Sequence, residues 1–317
     1  MEIPVVCVLL AVVLVGVVVA RTDEACAPCT TNRYARCSGT PCQCTLKISK
    51  SEAIPVNCSI MTRKCWMMKA EMYRIVNGVG TRRKPSEDAL LDTDGIYDPE
   101  CNDVGDFHAK QCNGTDVCWC VNSAGVRRTD KGDTDKKCDE LVKTFWFRIE
   151  LRHKPVDSID ENKLIEKITK VVEEYQVAKG YIEKVEYFKD DNTIILDLKQ
   201  NITVQTPSDL ATSAYYLEKE IKDSSFYTTP AGSRSIKADG IDVDGVKVTF
   251  TKALVYYVDE RGPEFSMKQL TPGVIAVIVV VVLAIIAGLV VLVLSRKKMK
   301  SHMYQKAEGR ELDEMQK

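Results

Sequence analysis

The sequence predicts an α+β protein with three parts: a small disulfide-rich N-terminal half, a cysteine-free α+β sandwich and a single transmembrane helix. Three observations carry this. Cysteine stops at Cys138; alternating and helical hydrophobic periods take over from about residue 143; and residues 273–294 hold no charged or strongly polar side chain.

The first apolar run, residues 5–19, is short and begins at the N-terminus. It ends in Val18, Val19 and Ala20, which put small residues at −3 and −1 of a signal-peptidase site. Residues 1–20 are therefore read as a cleaved signal peptide. The n-region "MEIP" carries Glu2, so an uncleaved anchor is the alternative.

The chain has 13 cysteines, and Cys7 falls in the signal segment, which leaves an even set between Cys26 and Cys138. An even, dense set of this kind belongs to an oxidising, secretory compartment. Cys26, Cys29, Cys37, Cys42, Cys44 and Cys58 form the first cluster, in a module over residues 21–62. Six cysteines allow fifteen pairings, and the sequence does not choose among them. "CAPC" and "CQC" also look like zinc-ligand pairs, but thiolate sites outside the cell compete with oxidation.

Cys65, Cys101, Cys112, Cys118, Cys120 and Cys138 follow, in a module over residues 63–138. The segment "TRRKPSEDALLDTDG" between the first two is polar and turn-rich, an exposed loop in which Arg82 and Arg83 invite trypsin-like proteases.

In the membrane-proximal domain, residues 139–265, "TFWFRIEL" reads as a strand. Leu164, Ile165, Ile168, Val171, Val172 and Tyr175 recur at helical spacing after the cap-like Asp157 and Ser158. "YIEKVEYF" and "TIILDL" read as a hairpin, and Ser208 as the cap of a second helix over residues 209–222. "IDVDGVKV", turning at Asp244 and Gly245, and "ALVYYVD" are expected to complete the sheet. One sheet face and two amphipathic helices can bury a core without cross-links.

At about 1.5 Å per residue the 273–294 run spans about 33 Å as a helix, enough for a hydrocarbon core of about 30 Å. Arg296, Lys297, Lys298 and Lys300 follow it, so residues 295–317 are read as a cytoplasmic tail by the positive-inside rule. Those cations are expected to attract anionic lipid. Ala284 and Gly288, four apart, give the span a small-residue contact face. Glycosylation is expected at the sequons of Asn57, Asn113 and Asn201.

With 44 basic and 45 acidic residues, nothing points to a nucleic-acid partner. The chain has only His108, His153 and His302, and no nucleophile elbow, phosphate loop or paired-histidine motif. It is therefore read as a non-enzyme without cofactor, metal or catalytic residue.

"DGIYDPEC", then "AKQCNGTDVCWCVNSAG", resembles the thyroglobulin type-1 repeat through Tyr97, Pro99, Gln111, Trp119 and Gly125. The resemblance implies the pairs Cys65 with Cys101, Cys112 with Cys118 and Cys120 with Cys138, with Trp119 shielding them. With "KAEMYRIVNG", "VYYVDE", "PEFSM" and the span before "SRKK", the whole chain resembles the epithelial cell adhesion molecule family, nearer its adhesion-molecule branch than its trophoblast-antigen branch. It departs from that pattern at the first cysteines, with two residues between Cys26 and Cys29 and a shorter segment between Cys37 and Cys42. For the first module the resemblance implies Cys26 with Cys42, Cys29 with Cys58 and Cys37 with Cys44.

For function, the resemblance implies a single-pass type I glycoprotein of the plasma membrane, on lateral and junctional membranes of epithelial cells. Such a protein is expected to form a homodimer, the repeat packing on the partner's C-terminal domain, to bind claudin-type membrane proteins through its span, and to serve adhesion and signalling. The alternative is an inhibitor of cysteine proteases, a role that some thyroglobulin type-1 repeats perform.

Overall fold

Short polar segments between closely spaced cysteines cannot bury a core of their own, and at the N-terminus cross-links take its place. The computed structural model describes residues 26–80, 93–201, 203, 209–222, 225–228, 236, 240–265 and 276–296. The signal peptide, Arg82, Arg83, Ser208 and the tail beyond Arg296 lie outside them. The chain divides into two units, Met1–Pro263 and Glu264–Lys317.

In the first unit, β1 (Arg36–Ser38), β2 (Gln43–Lys47) and β3 (Ala53–Pro55) make an antiparallel sheet in that order. Disulfides join Cys26 to Cys42, Cys29 to Cys58 and Cys37 to Cys44, the last pair facing each other across β1 and β2.

A helix that the sequence reading passed over, α1 (Lys64–Val76), comes next. Its buried residues are Lys64, Cys65, Met67, Met68, Ala70 and Glu71; two of the six are charged and one is a cysteine, so the apolar stripe by which such helices are recognised is interrupted. The helix ends at Asn77, before Gly78 at φ +69°, a left-handed position suited to glycine. Beyond it, β4 (Lys110–Cys112) pairs with β5 (Cys118–Cys120). The pairs here are Cys65 with Cys101, Cys112 with Cys118 and Cys120 with Cys138.

The α+β expectation holds in the cysteine-free part. β6 (Thr144–His153), β7 (Ile182–Phe188), β8 (Thr193–Lys199) and β11 (Phe250–Asp259) form one antiparallel sheet in the order β11-β6-β8-β7. Phe147, Ile149 and Leu151 alternate into the core beside Ile194, Leu196 and Leu198. Helix α2 (Glu161–Glu173) packs on β7, and α3 (Leu210–Ile221) on β11 and β6.

Three details differ from expectation. The cap of α2 is Asp160, whose carboxylate accepts from the amides of Asn162 and Lys163; Asp157 and Ser158 lie too far upstream. The cap of α3 is Asp209, which accepts from the Thr212 amide, so the helix starts at Leu210. The hairpin of β9 (Ile241–Val243) and β10 (Val246–Val248) stands as a separate ribbon instead of joining the sheet. Asp244 and Gly245 both turn at positive φ, 52° and 83°, which suits a tight two-residue hairpin that folds back on itself.

The second unit contains α4 (Ala276–Arg296), 21 residues long and apolar enough to cross a bilayer. Ala284 and Gly288 lie one turn apart along it.

Candidate functional site

The first unit buries charge where its cystine-rich and cysteine-free parts meet. Helix α3 is buried along its whole length, not only on the apolar face of Leu210, Ala214, Leu217 and Ile221. Its polar side turns towards α1 and residues 93 and 94. The Lys219 side chain is 1% exposed and reaches Asp94 at 2.8 Å and Glu71 at 3.5 Å. The Tyr215 hydroxyl donates to the same Glu71 carboxylate. Lys222 pairs with Glu218 at 2.8 Å, and the Thr93 hydroxyl donates to Glu218 at 3.2 Å while accepting from the Val255 amide of β11 at 2.9 Å. This network clamps residues 93 and 94 between α3 and the edge of the sheet. Burial, with the Asp94 charge added, raises the Glu218 carboxyl above its ordinary range.

Lys64, at the start of α1, is buried beside this network. Its ammonium donates to the Tyr257 hydroxyl at 3.1 Å and lies 4.7 Å from the centroid of that ring and 5.2 Å from that of Tyr215. Burial pushes it down to about 8, against the opposing pull of Glu218, Asp94 and Asp209. Tyr257, whose hydroxyl accepts from that ammonium, is raised well above the usual phenol range by burial.

Two further contacts fasten the parts together. Arg128 donates to Asp259 at 2.9 Å and to the carbonyls of Arg261 and Gly262 at 2.6 Å, while Asn122 and Thr144 donate to the other Asp259 oxygen. At the N-terminal module, the Arg33 amide donates to the Phe226 carbonyl at 2.6 Å and the Thr228 amide to that of Thr30 at 2.9 Å. The Thr62 amide donates to the Tyr216 hydroxyl at 3.1 Å, and Phe226 sits in a buried box with Tyr34, Tyr215 and Tyr216. The result is one compact unit braced at three joints.

The signature residues of the repeat have structural work in this body. Gln111, fully buried, accepts from the Glu100 amide at 2.7 Å and donates to the carbonyls of Glu100 and His108. Trp119 is buried between Cys118 and Cys120 and meets Tyr97 edge-on at 5.5 Å. The Tyr97 hydroxyl donates to the carbonyl of Gly125. Gly125 has φ +77°, and an added Cβ would come within 2.4 Å of the Phe107 ring, so the turn admits only glycine.

Of the remaining predicted sites, Asn57, Asn113 and Asn201 are exposed, each side chain accepting from the amide two residues on. Cys37, Cys44 and Cys58 bring their sulfurs close enough for a metal, but each is already in a disulfide. His108 and His153 stand in different parts of the fold; the His153 ring stacks on Tyr187 and hydrogen-bonds the Lys154 carbonyl. The buried network itself was missed in the sequence. Its one trace is "LEKEIK", charged on the side that a surface helix would turn to water.

Comparison with known proteins covers nearly the whole chain. Residues 144–259 match the family model described as EPCAM/Trop-2, C-terminal, and residues 81–139 match the thyroglobulin type-1 repeat. The chain is 42% identical to the epithelial cell adhesion molecule of Mus musculus, over 97% of this chain and 95% of that protein. It is 40% identical to tumor-associated calcium signal transducer 2 of Homo sapiens, over 98% and 94%. To the Homo sapiens epithelial cell adhesion molecule it is 45% identical over 74% and 72%.

Proposed function

Because the chain belongs to the EPCAM/Trop-2 family, we propose that it is a cell-surface adhesion and signalling glycoprotein that self-associates side by side in one membrane. The observation that carries the reading is similarity along almost the full chain, including both the braced body and a helix fit to cross a bilayer. An adhesion receptor works by holding a surface in fixed orientation towards identical neighbours, and three joints of buried hydrogen bonds supply the stiffness. Catalysis has no part in this reading.

The reading has finer parts. The protein sits in the plasma membrane with its N-terminus outside, on lateral and junctional membranes of epithelial cells. Its partner is a second copy, the thyroglobulin-like repeat facing the partner's sandwich domain. Ala284 and Gly288 support close helix contact within the membrane, with a second span or a claudin-type protein. Arg296, Lys297, Lys298 and Lys300 favour anionic lipid on the inner leaflet. Glycans are placed on Asn57, Asn113 and Asn201, and Arg82 and Arg83 in a protease-sensitive loop. Inhibition of cysteine proteases is the weaker reading, because the relatives are adhesion molecules and signal transducers by name.

Mass photometry and sedimentation of the purified full-length protein in detergent test the proposal. A dimer at micromolar concentration is expected; a strict monomer at high micromolar concentration contradicts it.

A further inference from the structure

Cys37 and Cys44 stand directly opposite each other across β1 and β2 and are joined. β1 is an edge of the three-stranded sheet, and residues 38–43, which link the two cysteines, are exposed, so this half-buried cystine is open to a reagent from outside. Cys58, bonded to Cys29, brings its own sulfur within 4.8 Å of both of theirs. Every cysteine from Cys26 to Cys138 is described, and among them no other cystine has a third sulfur that close to both its atoms.

A disulfide is cleaved by a thiolate that attacks one of its sulfurs and expels the other. Two neighbouring cystines therefore need only one thiolate between them to exchange partners. A thiolate of Cys37 or Cys44, tethered beside Cys58, acts at an effective concentration on the order of millimolar or higher, which outcompetes a micromolar reagent in solution. The geometry also selects the sulfur that is attacked. Cys58 is half-buried on the near side, whereas Cys29 is 2% exposed. The Thr31 hydroxyl, which donates to the Cys58 carbonyl at 3.3 Å, lies 3.9 Å from the Cys29 sulfur and can turn to donate to the thiolate that leaves.

We propose that these two cystines form a thiol–disulfide relay operated by an extracellular dithiol. The dithiol attacks the Cys37–Cys44 bond, closes on itself and leaves as its own disulfide, passing two electrons and two protons to Cys37 and Cys44. One of these thiols then gives up its proton and attacks the Cys58 sulfur. A new bond to Cys58 forms, the Cys29–Cys58 bond breaks, and the departing Cys29 thiolate takes up the proton. One disulfide is lost and the other has moved. Cys29 precedes the residues that hold the sandwich part, where the Thr228 amide donates to the Thr30 carbonyl and the Arg33 amide to that of Phe226. The relay removes the covalent tie between that joint and the residues leading into α1. It rests on the family reading only for placing the module outside the cell, and the purified protein tests the chemistry whatever that placement.

Full-length protein in phosphatidylcholine nanodiscs is treated with an equimolar amount of dithiothreitol, quenched in acid, alkylated and mapped by mass spectrometry of non-reduced peptides. The wild type is expected to yield Cys29 as an alkylated thiol together with a peptide pair joined through Cys58 to Cys37 or Cys44. In Cys37→Ser with Cys44→Ser, alkylation of Cys29 is expected to fall at least about fivefold, because only the reagent in solution is left to reach its bond. Cys112 and Cys118 also face each other across two strands, but Cys118 is fully buried and no third sulfur stands beside both, so this pair is expected to stay closed. Should the variant fail to fold, the wild-type linkage map still decides. Absence of the new Cys58 linkage, undiminished Cys29 alkylation in the folded variant, or Cys112 alkylated as strongly as Cys29 would each overturn the proposal.

Discussion

Lys219 of α3 and Asp94, 125 residues apart in sequence, meet at 2.8 Å with their side chains 1% and 9% exposed. Glu71 of α1 shares the same ammonium at 3.5 Å. Removing the shared cation leaves two buried carboxylates close together, with the Tyr215 hydroxyl on Glu71 and Lys222 at 3.9 Å from Asp94 as weaker compensation. Lys219→Ala is therefore expected to destabilise the protein by about 3–5 kcal/mol, read from the shift in denaturant midpoint. A loss below about 1 kcal/mol would mean that the joint does not carry the brace.

Gly125, in the thyroglobulin-like repeat, makes a second test of the braced body. With φ at +77° and the Phe107 ring 2.4 Å from an added Cβ, Gly125→Ala strains the backbone and displaces a buried ring together. Gly95, in the same module but with open space around it, serves as the control. We expect Gly125→Ala to cost about 2–4 kcal/mol and to cut the amount reaching the cell surface, while Gly95→Ala changes neither.

The two titrating groups of the joint act with opposite signs. Lys64 has a folded value of about 8 against an ordinary 10.5, so the unfolded chain holds the proton more tightly and stability rises as pH climbs from about 8 to about 10.5. Subtracting the same series in Lys64→Met isolates this gain, and wild type should improve relative to the variant across that window. Glu218 is raised, so the folded state holds the proton more tightly and stability falls as pH rises from about 4.5 through the folded value. Glu218→Gln should flatten that fall. Denaturation midpoints across pH check both, and a wild-type curve parallel to either variant would refute the corresponding assignment.

How much of this was legible in the sequence depends on whether a residue's environment is local. The four long strands were visible because Phe147, Ile149 and Leu151, like Ile194, Leu196 and Leu198, alternate in a period that only a half-buried strand explains. An antiparallel sheet with helices on it followed from such patterns, and the family from the "QC…CWCV" block. Helix α1 was hidden because Lys64 and Glu71 sit on its buried face and interrupt the apolar stripe. The separate β9–β10 ribbon could not be told from a fifth and sixth strand of the sheet, since its turn chemistry is the same in either place. Nor could the Lys219 network: charges in "LEKEIK" look solvated until Asp94 arrives from another module. Caps were misplaced by a few residues where several polar side chains compete for one helix start, as at Asp157, Ser158 and Asp160.

Cys65 and Cys101 lie on either side of the 81–92 segment and are joined. A single trypsin-like cut after Arg82 or Arg83 should therefore leave one species on a non-reducing gel and two fragments after reduction. Fragments that separate without reductant would contradict the cross-link.

The most direct test of the central claim uses two differently tagged full-length copies on living cells, joined by a membrane-impermeant cross-linker. Expressed in one cell, the two tags are expected in one cross-linked species of twice the chain mass, through reactive groups of the braced body. Recovery of monomers alone, both from cells that carry both tags and from mixed cells that carry one each, would contradict self-association.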